Sequence, residues 1–146
     1  MLTKKAQYAL YALRYLAMKK DTGPVLIKDI VDVEFLPKKF LEAILIDLKN
    51  AGIVNSKKGK NGGYYLIKEP KDINFADVIR LFDGAIALLP CATYKYYEKC
   101  QKCENDDDCG LRNVVKEIRD KTVAILKDLS LQDVIDRDKT GRYKIL

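Results

Sequence analysis

The chain has 146 residues and a net charge of +6, from 27 Lys and Arg against 21 Asp and Glu, with four Cys and no His. This length suffices for one domain whose core folds without disulfides. The lack of His excludes Ser-His-Asp and Cys-His triads, His-Glu-x-x-His zinc proteases and two-His iron sites. We therefore expect a protein that is not an enzyme.

The N-terminal segment lacks a long apolar run followed by a small-residue cleavage site. No window approaches the roughly 18 uninterrupted apolar residues of a membrane span. The sequence therefore predicts neither a signal peptide nor a membrane span, and a cytoplasmic location is expected.

The positive charge is confined to one half of the chain. Residues 1–71 carry a net charge of +7 and residues 72–146 a net charge of −1. A basic half of this kind favours a polyanionic partner such as nucleic acid, although a solvated basic face is the simpler alternative.

The first half has the pattern of a helix-turn-helix motif. Apolar residues at three- and four-residue spacing predict a helix over 3–20. A short helix at 26–31 and a turn at 34–36 precede a stronger helix, which Pro37 opens and Gly52 closes. The apolar face of that helix consists of Phe40, Leu41, Ile44, Leu45 and Leu48.

A β-hairpin is predicted next. The β-prone runs 53–57 and 64–67 flank a tip at 58–63 that holds three of the eight glycines. Directly after a helix-turn-helix, a hairpin with a basic, glycine-rich tip is typical of a wing that contacts phosphates or a minor groove. An ordinary hairpin with solvated lysines is the alternative.

The second half is predicted to be helical, with one long irregular loop. A helix at 74–82 ends at Gly84, and residues 85–109 lack periodicity, which in a small protein indicates a functional or disordered loop. A long amphipathic helix at 111–129 follows, most simply a dimerisation helix. Ser130 can cap a short helix at 131–135, and the tail from residue 136 is expected to fray.

The predicted fold class is mainly α with a small β-hairpin (α+β): a winged helix-turn-helix with a long C-terminal dimerisation helix. We expect residues 1–84 to form the DNA-binding region, residues 85–110 a cysteine-bearing sensor loop, and residues 111–135 the dimerisation helix with the short terminal helix. All three would belong to one compact domain.

Three segments resemble the bacterial winged-helix transcriptional regulators typified by IscR, NsrR and CymR. They are residues 2–10, residues 36–45 with the sequence LPKKFLEAIL, and residues 52–66 with the glycine- and lysine-rich tip. The resemblance implies a homodimer that binds a pseudo-palindromic operator in double-stranded DNA. It places at the DNA the residues Pro37, Lys38, Lys39, Phe40, Glu42, Lys57, Lys58, Gly59, Lys60 and Asn61.

Two of these positions have specific implications. Glu42 aligns with a glutamate that in IscR-like proteins can accept a hydrogen bond from a cytosine amino group; a solvated helix carboxylate is the alternative. Lys58 stands where the family carries a wing arginine. Lysine keeps the charge but loses the planar fork, so weaker sequence readout by the wing is expected.

All four cysteines lie in the irregular loop, at Cys91, Cys100, Cys103 and Cys109. Without a secretory signal, a structural disulfide set is disfavoured. The residues leave open an iron–sulfur cluster (2Fe-2S or 4Fe-4S), thiol or disulfide redox sensing, structural zinc and an idle loop. Zinc is less favoured because the pair at 100 and 103 lacks a second C-x2-C knuckle.

The family resemblance bears on the ligand set. IscR-like proteins use three Cys and a His, whose position is Arg112 here, and NsrR-like proteins recruit an acidic residue, whose position is Gln7 here. These departures imply coordination by all four cysteines or a three-cysteine site. The alternative function is a small iron–sulfur or metal-binding redox protein without sequence-specific DNA binding.

Cys109 begins the long helix, whose dipole favours a thiolate there. The three aspartates at 106–108 oppose that effect, so the sequence leaves the direction of the Cys109 pKa open.

Overall fold

Six α-helices and one two-stranded antiparallel sheet make up the part of the chain that the computed structural model describes, residues 1–139. The helices are α1 (Lys4–Met18), α2 (Ile27–Glu34), α3 (Lys38–Asn50), α4 (Phe75–Asp83), α5 (Gly110–Asp128) and α6 (Leu131–Lys139). The strands are β1 (Val54–Lys57) and β2 (Gly63–Leu66), and 3-10 turns lie at Lys20–Thr22, Pro70–Asp72 and Pro90–Ala92. The predicted fold class is confirmed.

The core forms around α1, which contacts α2, α3, α4, α6 and β2. Its buried residues include Ala9 and Ala12, whose small side chains let neighbouring helices approach closely, and α3 turns its apolar face toward them. The largest side chains in this core are fully buried: Leu13, Leu16, Ile30, Leu41, Ile44, Leu45, Leu48, Leu131, Val54 and Val78.

A tight turn joins α2 to α3. Phe35 ends α2 in the left-handed region with φ 52°, and Pro37 occupies the N-cap position of α3, where its missing N–H costs nothing. The Arg14 guanidinium donates two hydrogen bonds, of 2.9 and 2.8 Å, to the carboxylate of Glu34. This bidentate pair fixes α2 against α1, and α2 together with α3 forms the helix-turn-helix motif.

The segment around Val25, just before α2, joins the hairpin to the body of the domain. Val54 pairs with Leu66 and Lys57 with Gly63, while Val25 exchanges two backbone hydrogen bonds with Tyr64, of 2.8 and 2.7 Å. Gly63 has φ 146°, and a Cβ on it would lie 2.3 Å from the Val25 carbonyl oxygen. Glycine is therefore required where this segment crosses the hairpin.

The second half contains a short helix, α4, and a long helix, α5, that is much less buried than α1. Asn74 caps α4 by accepting a hydrogen bond from the Asp77 N–H, and Gly84 with φ 78° ends that helix. In α5 only Val115 and Arg119 are buried among 19 residues. None of the helices within residues 1–139 is long and apolar enough to cross a membrane.

The last helix is longer than the sequence pattern indicated. The prediction that the helix ends at 135 and the chain frays from 136 is wrong for residues 136–139, which continue α6. Leu131 and Ile135 are buried in the core, and the Asp133 carboxylate accepts hydrogen bonds from the N–H and hydroxyl of Ser130. This packing and the cap stabilise α6, so the helix continues through residues of polar composition. The rest of the predicted tail lies outside the described residues.

Candidate nucleic-acid interface and cysteine loop

The start of α3 presents the residues predicted to contact DNA. Pro37, Lys38 and Lys39 are exposed, while Leu41 is completely buried on the opposite face. Because side chains three to four positions apart share a helix face, burial of the apolar face fixes the direction in which the two lysines point. The first turn of α3 is therefore a basic, exposed surface.

Phe40 and Glu42 lie at the margin of this surface. Phe40 is 43% exposed, and its ring meets the Tyr8 ring of α1 edge-on, with centroids 5.7 Å apart and an interplanar angle of 86°. Phe40 thus packs α3 on α1 as well as facing outward. Glu42 is half-buried.

The wing adds a second basic surface next to α3. Lys57, Lys58, Gly59, Lys60 and Asn61 are all exposed, and Gly59 adopts φ 108° at the tip. The tip lysines, like those that begin α3, form no ion pair with any other residue of 1–139. Their charge is therefore uncompensated and available to phosphates.

A hydrogen bond connects these two basic surfaces. The Lys49 ammonium of α3 donates to the Ser56 hydroxyl of β1 over 2.7 Å. An ion pair of 2.6 Å between Lys5 and Asp47 joins α3 to α1. The hydrogen bond therefore links the wing to α3, and the ion pair links α3 to α1.

Phe35 was not singled out by sequence reasoning. It lies in the turn between α2 and α3 and is 88% exposed. A bulky residue at positive φ is unusual, and such strain is concentrated at functional positions. Only a turn was predictable here, because a left-handed residue is ordinarily predicted from Gly or Asn and not from Phe.

Three of the four cysteines come together at the N-terminus of α5. The side chain of Cys103 lies close to those of Cys109 and Cys100, and the Cys103 N–H donates to the Cys100 carbonyl over 3.2 Å. Hydrogen bonds to Cys109 first, and to Cys100 second, raise the pKa of the Cys103 thiol to about 11. We call Cys100, Cys103 and Cys109 the thiol group.

Cys109 is the N-cap residue of α5. Its Sγ accepts a hydrogen bond from the Arg112 N–H at 3.4 Å. That backbone donor, followed by the Cys103 thiol, lowers the pKa of Cys109 from its ordinary value. The helix terminus therefore outweighs the neighbouring aspartates.

Cys91 lies apart, buried in the turn Pro90–Ala92, and Arg112 connects it to the thiol group. The guanidinium of Arg112 donates to the Cys91 carbonyl over 2.9 Å and to the Asp106 carbonyl over 3.2 Å. Arg112 thus braces the loop from the position where IscR-like proteins carry His. Within residues 1–139, no group of three or more His, Cys, Asp or Glu side chains is arranged to hold a metal ion.

Gln7 stands where NsrR-like proteins carry an acidic residue. Its side-chain amide donates to the Leu2 carbonyl over 2.8 Å. It therefore stabilises the start of α1.

The family model for Rrf2, described as an iron-dependent transcriptional regulator, matches residues 2–137. The chain belongs to the Rrf2 family. An Rrf2-like helix-turn-helix transcriptional regulator of Rhodobacter capsulatus is 38% identical over 138 residues, which cover 92% of both chains. The resemblance predicted from the sequence is confirmed.

Two solved Rrf2 structures share the fold. CymR, the global cysteine regulator of B. subtilis, matches with a TM-score of 0.77 at 30% identity. The match covers 94% of this chain and 97% of the CymR chain. IscR of T. potens matches with a TM-score of 0.77 at 25% identity, covering 99% and 92%. The protein is a DNA-binding transcriptional regulator, and the prediction that it is not an enzyme is confirmed.

Proposed function

We propose that this Rrf2 regulator acts as a cytoplasmic homodimer whose affinity for a pseudo-palindromic operator is controlled by the chemical state of its cysteine loop. The observation that carries the proposal is the location of the thiol group. It lies at the N-terminus of α5, a helix with an apolar stripe that residues 1–139 leave exposed. A change at the cysteines would therefore act on the element that joins two copies.

The DNA contacts divide between α3 and the wing. Pro37, Lys38, Lys39, Phe40 and Glu42 would enter a major groove, with Glu42 able to accept a hydrogen bond from a cytosine amino group. Lys57, Lys58, Gly59, Lys60 and Asn61 would lie against phosphates and the adjoining minor groove. The Lys49–Ser56 hydrogen bond keeps these two contacts in register.

The dimer contact would form along α5. Its exposed apolar residues recur at helical spacing, at Leu111, Val114, Ile118 and Ile125, and define what we call the α5 stripe. An apolar groove of about 620 Å³ opens beside it, lined by Leu10, Ile79, Ile86 and Leu126 among others. A second copy packed on the stripe would remove this surface from water.

The loop contains the donor type that an iron–sulfur cluster requires, because clusters are held by thiolates. The thiol group would supply three ligands, and Cys91, which lies apart from it, would supply the fourth. Because no such side chains within residues 1–139 are arranged to hold a metal ion, binding a cluster would require the loop to rearrange. Such a cluster would supply a centre that is lost or oxidised when conditions change. The same contacts also suit the thiol-based alternative, in which two of the three adjacent thiols are oxidised to a disulfide.

The cluster and the disulfide would both affect the DNA-binding region through the same contacts. The Arg112 backbone N–H bonds Cys109, while its guanidinium bonds the Cys91 carbonyl, so rearrangement of the cysteines shifts the loop relative to α5. A shift of α5 changes the relative orientation of the two copies of α3. The expected coupling free energy is roughly 1–3 kcal/mol, or 5- to 150-fold in operator affinity.

Iron and acid-labile sulfide in anaerobically purified protein distinguish the two forms of control. Stoichiometric iron and sulfide, lost with a change in operator affinity on exposure to air, would support the cluster. An iron-free protein whose affinity follows thiol oxidation would support the disulfide. Operator affinity that is the same in reduced, oxidised and cluster-loaded protein would contradict control by the loop.

The DNA surface is tested by Lys38→Ala combined with Lys39→Ala. We expect weaker operator binding and a salt dependence that is flatter by up to about two phosphate contacts. The pair Lys116→Ala and Lys127→Ala removes the same charge from α5 and serves as the control. Equal effects of the two double substitutions would contradict the assignment of α3 as the recognition helix.

A further inference from the structure

A cavity of about 330 Å³ lies between the C-terminal end of α4, the loop after Cys91 and the inner face of α5. Its walls include Ala85, Ile86 and Val123, with Tyr94 and Tyr96 from the loop. This volume corresponds to roughly ten water molecules, within the size range of small-molecule sites. Neither DNA contact nor the cysteines account for it.

The cavity contains a buried cation that is only partly satisfied. Arg119 is 5% exposed; its Nε donates to Asp120 Oδ1 over 2.8 Å and its Nη1 donates to the Ala92 carbonyl. The buried Nη2 has no hydrogen-bond partner among residues 1–139, although Asp120 Oδ1 lies 2.7 Å from it without hydrogen-bond geometry. That oxygen already accepts from Nε. Arg119 Nε and Nη2 thus share one carboxylate oxygen, which also accepts from the Tyr94 hydroxyl, so an anion in the cavity would add an acceptor for this guanidinium.

The charges around the cavity also favour an anionic ligand. Arg80 and Lys95 line it together with Arg119, against the single carboxylate of Asp120. The Tyr94 ring covers one face of the Arg119 guanidinium, 3.8 Å from the ring centroid, and its hydroxyl donates to Asp120 over 3.2 Å. Tyr94 is nevertheless 78% exposed, so its ring lies at the mouth of the cavity.

We propose that this cavity binds a small carboxylate with an aromatic or branched aliphatic body. The carboxylate would lie beside the Arg119 guanidinium at the wall of the cavity, with Arg80 and Lys95 adding attraction at the mouth. The body would lie against Ile86, Val123 and the tyrosine rings. Arg119 also donates a hydrogen bond to the carbonyl of Ala92, which follows Cys91 in the chain. An anion bound at Arg119 would therefore act on the cysteine loop as an effector.

The test is direct binding to the full-length protein by isothermal titration calorimetry. The probes are benzoate, phenylacetate and 3-methylbutanoate, with benzamide as the uncharged match and inorganic phosphate as the anion without an apolar body. We expect at least one carboxylate to bind about tenfold or more tightly than benzamide and phosphate. Failure of all three carboxylates to bind, or phosphate binding as tightly, would overturn the proposal.

Two charge variants locate the site without altering the buried Arg119. Arg80→Gln combined with Lys95→Gln should weaken carboxylate binding about tenfold, whereas Lys127→Gln, on the outer side of α5, should leave it unchanged. In the wild-type protein, the ligand should also slow amide hydrogen exchange in residues 84–96. Equal affinity in all variants, or protection confined to another part of the chain, would overturn the assignment.

Discussion

Helices α1 and α5 are both amphipathic, but they are used differently. The 15 residues of α1 include six that are buried, whereas the 19 residues of α5 include two, one of which is charged. Helix α1 is surrounded by the rest of the winged-helix region and draws its stability from that core. Helix α5 covers one side of the domain, and within residues 1–139 the α5 stripe is exposed.

The charged residues of the two regions differ in the same way. Lysines of α3 and the wing project into solvent without ion pairs inside residues 1–139, as a phosphate-binding surface requires. Of the two arginines of α5, Arg119 is instead buried and Arg112 half-buried, and both donate to loop carbonyls, where the planar guanidinium offers several donors. Charged side chains are therefore exposed and unpaired in one region and bonded to the backbone in the other.

The largest effect is expected in the core around α1. Leu41→Ala removes a fully buried side chain of α3 and should lower the free energy of unfolding by about 2–5 kcal/mol through lost burial and a cavity. Ile46→Ala, at an exposed position of the same helix, should change it by no more than about 0.5 kcal/mol. Urea denaturation measures both, and equal losses would contradict the described orientation of α3.

The next effect concerns the α5 stripe. Ile118→Asp places a charge at the centre of the proposed dimer contact and should convert the protein to a monomer with operator affinity reduced about 100-fold. Ala124→Asp adds the same charge at an exposed position away from the stripe and should leave the dimer intact. Sedimentation velocity and fluorescence anisotropy report the two quantities, and a dimer that survives the first substitution would reject the stripe as the interface.

A smaller and more local effect is expected at Arg112. Arg112→Gln removes charged hydrogen bonds to the loop, so amide exchange in residues 91–109 should accelerate about tenfold while α1 to α3 remain unchanged. Lys127→Gln is the matched control on the exposed face of α5. Uniform acceleration along the chain would show that Arg112 supports the whole domain rather than the loop.

The smallest effect concerns α6 and depends on pH. Hydrogen bonds from Ser130 lower the pKa of Asp133 in the folded protein, so the carboxylate stabilises the fold above its unfolded pKa of about 3.9. That contribution is lost as the pH falls through the lower folded-state value. Asp133→Asn should therefore lower the melting temperature near neutral pH, and the difference from wild type should shrink in acid. A difference that does not depend on pH would contradict the cap.

Much of the DNA-binding region was predictable because its signals are local. Periodic leucines, a proline before α3 and glycines in the wing each reflect the backbone or burial requirement of their own position. Arg119 was not predictable, because a charged residue in an amphipathic helix is ordinarily assigned to the solvent face. The length of α6 was missed because the helix packs on α1, far away in the sequence, and the polar composition of residues 136–139 does not show that contact.

The helix-turn-helix, the wing, the family and the concentration of cysteines in one loop are all predictable from the amino-acid sequence. Each follows from residue spacing or from a contiguous motif. The grouping of three thiols apart from Cys91, the inward direction of Arg112 and Arg119 and the cavity beside them are visible only in the folded chain. These features depend on contacts between residues far apart in the sequence, such as Arg119 with Ala92, 27 positions away, which local patterns do not encode.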